Sequence, residues 1–165
     1  MSNDKSVQLA AIIAKHENEL LEGWFAGMMS RMIRRDKNAE SELRQQGAAF
    51  LNVLGQALRS GAGADIEASV WDETRRMLAE ISQARVRQGF SSIETAHFIF
   101  ALKEPLFSYL RNELASDPAE LVDAMSTTGA LFDRLGLYTI EVYQKAREQV
   151  ILRQQQELLE LSTPV

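Results

Sequence analysis

His16 and His97 are the only imidazoles in the chain, and cysteine is absent, so few residues here are equipped for chemistry. Without cysteine there is no disulfide framework, thiolate zinc site or thiol nucleophile. Glu94 and His97 form one Glu-x-x-His pair, the element that carboxylate-bridged di-iron bundles use twice, alongside two further inward glutamates. A second pair is missing. Ser91, three residues before Glu94, offers a capping box that accounts for the glutamate without a metal. His97 sits among Phe98, Ile99 and Phe100, which leaves it as the alternative site: an axial haem or metal ligand inside a helical bundle, serving gas or redox sensing. His16 belongs to the charged run Lys15 to Glu19 and is a weaker candidate. No base oriented by an acid and no glycine-rich phosphate loop appears, since Gly61 and Gly63 read as a turn. Neither catalytic nor metal residues are therefore assigned, and no cofactor is expected. Met28, Met29 and Met32 at helical spacing beside Trp24 suit ordinary core packing, or with Phe98 a ligand pocket built on Trp24, Met28 and Phe98.

Such residues need elements to hold them. The chain has 165 residues, 45% hydrophobic and 25% charged, with a formal net charge of −5. That fits one packed domain and argues against a phosphate-binding surface for nucleic acid. Neither a membrane span nor a signal peptide is present in the pattern, so a cytoplasmic location is expected. All three prolines, Pro105, Pro118 and Pro164, lie late in the chain, which favours long helices before them.

Apolar residues at three- and four-residue steps predict five main helices. The first runs from Asp4 to about Arg35, with Ser2, Asn3 or Asp4 as its cap; in it Gly23 and Gly27 leave a smooth surface for close approach by another helix. After the polar stretch Arg34 to Asn38, the second runs from about Ala39 to Ser60 and is stopped by Gly61. The third spans Asp65 to about Gln88, has a basic final turn at Arg85 and Arg87 that suits a helix C-terminus, and stops at Gly89. The fourth opens at Ser91 and contains Pro105, which should bend it. The fifth starts at Asp117-Pro118-Ala119-Glu120, which supplies a cap, a first-turn proline and an acid. Nothing stronger than Gly129 or Gly136 interrupts it before Pro164. A helix of that length is about 60 Å long, against roughly 30 to 35 Å for a domain of this size. Its first half must be core and its second half must project. The projecting part, from Gln144 to Leu161, mixes glutamines with Val150, Ile151, Leu158, Leu159 and Leu161 without a clean heptad, and a parallel copy in a homodimer is its simplest partner.

The run Ser82-Gln83-Ala84-Arg85-Val86-Arg87-Gln88-Gly89-Phe90-Ser91, followed by Glu94 and Thr95, resembles a recurring stretch in stressosome sensor proteins of the RsbR and RsbRD type. The tail from Arg153 to Val165 is similar to the linker helix and first strand that lead into a STAS domain in such proteins, and the segment His16 to Trp24 fits more loosely. The resemblance implies an all-α, globin-like, haem-free bundle that dimerises and passes a stress signal through its last helix to a STAS domain controlling a switch kinase. It implies a sensor domain over residues 1–145, with a linker helix and the start of a missing STAS domain over residues 146–165. Leu161-Ser162-Thr163-Pro164-Val165 then reads as extended chain entering a strand. A globin's proximal histidine would be expected on the third helix, which has none; His97 falls one helix later. The residues expected to carry the dimer and its signal are Leu135, Tyr138, Val142, Val150 and Ile151.

Overall fold

Six α-helices and one 3-10 turn form the protein in a computed structural model that describes residues 3–32 and 37–163: α1 Asn3–Lys15, α2 Glu17–Met29, α3 Lys37–Arg59, the turn Ser69–Trp71, α4 Asp72–Arg87, α5 Ser92–Glu113 and α6 Pro118–Ser162. No strand occurs among the described residues. The class is the expected one, an all-α, globin-like bundle with a long C-terminal helix. Ser2, Ile33, Arg34, Arg35, Asp36, Pro164 and Val165, which entered the sequence reading as cap, helix end, connector and strand start, lie outside the described residues.

The first expected helix is in fact two. At His16 the backbone leaves the helical region, with φ −115° and ψ 24°. In compensation its ring stacks on Tyr109 at 4.2 Å, and Nε2 lies 2.9 Å from Glu113 Oε1. The break thus lets α1 and α2 pack in different directions, with α1 against α3 and α2 against both α3 and α5. The third expected helix also starts later, at Asp72 rather than Asp65. Asp65 accepts the Glu67 N–H at 3.1 Å, and the Trp71 indole donates to the Gly63 carbonyl at 2.8 Å, so local side-chain bonds replace a helical turn and leave Trp71 fully buried. At the far end, α6 runs through Ser162, so Leu161 and Ser162 are helical rather than extended. Thr163, the last described residue, is extended, with ψ 124°, as a residue before proline should be.

The other boundaries follow local rules. Gly61 and Gly89 adopt φ of 79° and 80° and end α3 and α4 in Schellman motifs. In the first, Ala62 donates to Ala57 and Gly61 to Leu58; in the second, Phe90 donates to Arg85 and Gly89 to Val86. Ser91 and Glu94 form a reciprocal capping box on α5. Asp117 accepts the Glu120 N–H at 3.1 Å at the start of α6.

Helix α5 is the centre of the bundle, packed on α6 on one side and α2 on another, while α4 lies against α6. Trp24, Phe50 and Phe98 meet at its heart, all fully buried or nearly so, with ring centroids 4.9 to 5.8 Å apart. Glycines let the helices come close. Gly23 faces Pro105 and Gly27 faces Ala101 where α2 crosses α5, the close approach that the glycine pair implied. On α6, Gly129 faces Phe107 and Gly136 faces Phe100; as the number rises on one helix it falls on the other, so α5 and α6 run antiparallel.

These contacts differ in tightness. A Cβ at Gly129 would meet Phe107 at 3.6 Å, an ordinary contact, whereas one at Gly136 would lie closer than 3.0 Å to three atoms of the Phe100 ring. Gly129→Ala should therefore stabilise the protein by up to about 1 kcal/mol through helix propensity. Gly136→Ala should destabilise it, because overpacking at about 1 to 3 kcal/mol exceeds that gain. In a double-mutant cycle read by urea denaturation, Phe100→Ala should cost less in the Gly136→Ala background than in the wild type. Additive effects would contradict this packing.

Candidate functional site

The residues marked for a pocket belong to the core, and two of them, Trp24 and Met28, also border a cleft of about 200 Å³ between α2 and α3 with Leu21, Phe25 and Gly47. Trp24, Met28 and Phe98 expose 0%, 4% and 2% of their surface, and the Trp24 indole donates to the Phe98 carbonyl at 2.6 Å. His97 is half-buried at the edge of this cluster, beside the Gly27 backbone. Beside it, bounded by Met28, Met32, Arg85 and Phe98, lies a void of about 10 Å³. That is room for one water; a porphyrin does not fit there in this packing. Glu94 is held by the Ser91 N–H at 3.1 Å. Among the described residues no three metal-ligating side chains converge. His16 is drawn in from the charged face expected for it, and with Lys15 it holds the Glu113 carboxyl below its ordinary value, the Lys15 hydrogen bond contributing most.

A residue the sequence offered only as a favourable cation at the end of a helix stands out instead. Arg85, on the last turn of α4, exposes 5% of its surface. Its Nη2 donates to Gln46 Oε1 at 2.7 Å, its Nε has no partner, and its guanidinium lies 4.7 Å from the centre of the Phe90 ring and 6.0 Å from that of Phe98. Burial lowers its pKa, opposed by the charges of Glu42 and Glu94, yet arginine keeps its proton in proteins. Helices α3 and α4 leave a cleft of about 170 Å³ here, bordered by Glu42, Leu43, Arg85, Gln88 and Phe90. Period and composition do not signal it: a basic residue in the last turn of a helix is ordinary, and only the inward turn of that face makes it a buried charge.

The adjoining turn connects this cleft to α6. Tyr143, nine-tenths buried, donates its hydroxyl to the Phe90 carbonyl at 2.6 Å. Of the α6 residues expected at a dimer contact, Leu135 is fully buried in the chain's own core, Tyr138, Val142 and Val150 are half-buried, and Ile151 is 40% exposed. From Gln144 onward no described residue is buried. Leu137, Leu152, Leu158, Leu159 and Leu161 are each more than half exposed; the sequence reading passed over Leu137 and Leu152.

His97 carries a measurable consequence. Burial, and then the Arg31 charge, lower its pKa, against the opposing bond to Gly27. The folded protein therefore binds this proton less readily than the unfolded chain. Its contribution to stability is complete above the unfolded value of about 6.5 and shrinks as pH falls through it. Thermal melts between pH values of about 7.5 and 5.5 should show a smaller loss of Tm for His97→Gln than for the wild type; parallel curves would reject this.

No curated protein and no solved structure matches this chain. No described helix is long and apolar enough to cross a membrane. The sequence profile of the RsbT co-antagonist protein rsbRD N-terminal domain matches residues 18–158, from the start of α2 into the exposed end of α6, and the chain belongs to that family.

Proposed function

We propose that this chain is the signal-input and dimerisation domain of an RsbR-like stressosome regulator, and that α6 passes its state to a downstream STAS domain controlling a switch kinase. The domain would work in the cytoplasm, without enzymatic activity or a bound cofactor. The observation that carries this reading is α6 itself, 45 residues of continuous helix whose first half belongs to the core and whose second half stands clear with apolar side chains in solvent. Leu137, Gln144, Ile151 and Leu158 fall seven residues apart, and Ile140, Arg147, Gln154 and Leu161 form the neighbouring row. That is heptad spacing interrupted by Gln144, Arg147 and Gln154, an imperfect coiled-coil seam that a parallel second copy would fill. Leu135, Tyr138 and Val142 fall on the other side of α6 from these two rows, toward the bundle, and would carry its repacking to the seam. A stimulus that repacks the bundle needs a coupling of only about 1 to 3 kcal/mol to change the output fivefold or more.

Equilibrium sedimentation tests the proposal. The wild type should be a dimer at micromolar concentration. Ile151→Glu combined with Leu158→Glu should weaken the dimer by about a hundredfold or more, because burying unpaired charge costs several kcal/mol, with helix content retained by circular dichroism. A monomeric wild type overturns it.

A further inference from the structure

Among the described residues, Arg85 is a buried cation with no anion paired to it. Of its five N–H groups one is hydrogen-bonded, to Gln46, and Nε is enclosed without a partner. No carboxylate among the described residues lies within ion-pair distance of it. The two nearest acids are engaged elsewhere: Glu94 caps α5, and Glu42 accepts the Gln46 amide at 3.2 Å and the Gln88 amide at 3.2 Å. An arginine cannot escape such a position by losing its proton, and a charge so placed is costly unless something pairs with it.

We propose that the cleft beside Arg85 is a binding site for a small monocarboxylate, its carboxylate on the guanidinium and its apolar body against Leu43 and Phe90. The planar guanidinium offers adjacent N–H groups in the fork that a carboxylate matches. Leu43 and Phe90 are 3% and 9% exposed and give the body an apolar wall. The volume of about 170 Å³ compares with roughly 150 Å³ for a cavity that holds benzene, so a branched or aromatic acid of a single ring is the upper size. Glu42 on the same cleft selects against a second negative charge, which disfavours phosphate and dicarboxylates.

An occupant here would touch the element that meets the output helix. Phe90 is tied to Arg85 twice, by its N–H to the Arg85 carbonyl at 3.0 Å and by its ring under the guanidinium, and its own carbonyl receives Tyr143. Use of the site as an input rests on the function proposed above; binding itself rests on Arg85 alone.

The test is an NMR titration of the full chain with acetate, isovalerate and benzoate, each paired with its neutral amide. At least one acid should give saturable shifts at Arg85, Gln88 and Phe90 at millimolar concentration, and its amide none. Arg85→Met should weaken binding about tenfold or more. Glu42→Gln, which leaves Arg85 in place, should tighten it. Tyr143→Phe should keep binding while reducing the shifts that reach α6 beyond Gln144. Absence of saturable shifts with every acid, equal binding of acid and amide, or looser binding in Glu42→Gln overturns the site. A monomer that binds the acid removes the dimer reading and leaves this one, whereas a dimer that binds none does the reverse.

Discussion

The full burial of Trp24 is the constraint on which the bundle depends. An indole taken entirely out of water needs a partner for its N–H, and the nearest helix supplies one only if it comes close enough to present a carbonyl. The Phe98 carbonyl does so at 2.6 Å, which fixes the separation of α2 and α5. That separation in turn requires small residues along the crossing, and Gly23 and Gly27 are opposite Pro105 and Ala101. On the other side of the ring, a Cβ at Gly47 would stand 3.3 Å from the Trp24 six-membered ring, so α3 is brought in by the same side chain. Three helices are thereby located by one residue and the glycines around it.

The second organising feature is the turn between α4 and α5. Its conformation comes from Gly89, whose positive φ allows Phe90 to fold back and bond to the Arg85 carbonyl. The same turn then offers the Phe90 ring to the Arg85 guanidinium and the Phe90 carbonyl to Tyr143. Four residues thus join the end of one helix, the start of the next and the last buried position of α6. Polar groups shared in this way are costly to leave half-satisfied, so a change at Arg85 would be expected to reach Tyr143 through these bonds.

Much of the fold was legible because local chemistry decided it. The Ser91–Glu94 capping box, the Asp117–Pro118 start and the Gly61 and Gly89 stops each need only neighbouring residues, and each is where the local signals put it. The failures are long-range. Nothing near His16 stops a helix; its break is held by Tyr109 and Glu113, roughly a hundred residues away in sequence. Asp65 to Ser69 has helical spacing, but the Trp71 indole reaches back to Gly63 and the chain turns instead. Arg85 was readable as a cation and not as a buried one, because its environment is assembled from α3, the turn and α5. For the same reason Leu135 and Ile151, both apolar on one helix, have opposite surroundings that period alone does not separate.

The boundary within α6 explains why any signal leaving this domain would pass near Tyr143. Up to that residue, Leu131, Phe132, Leu135 and Thr139 are held by packing on α4 and α5, so a change in the bundle must move the helix or be absorbed by it. Beyond it no described side chain is buried, and the helix is supported by its own hydrogen bonds and by pairs such as Lys145 with Glu141, which contribute a few tenths of a kcal/mol each. A long helix bends only gently where proline, glycine pairs and bulges are absent, and none of the first two falls between Leu137 and Thr163. On the function proposed here, a shift or rotation set at Tyr143 would therefore be carried along the remaining turns rather than lost at a hinge.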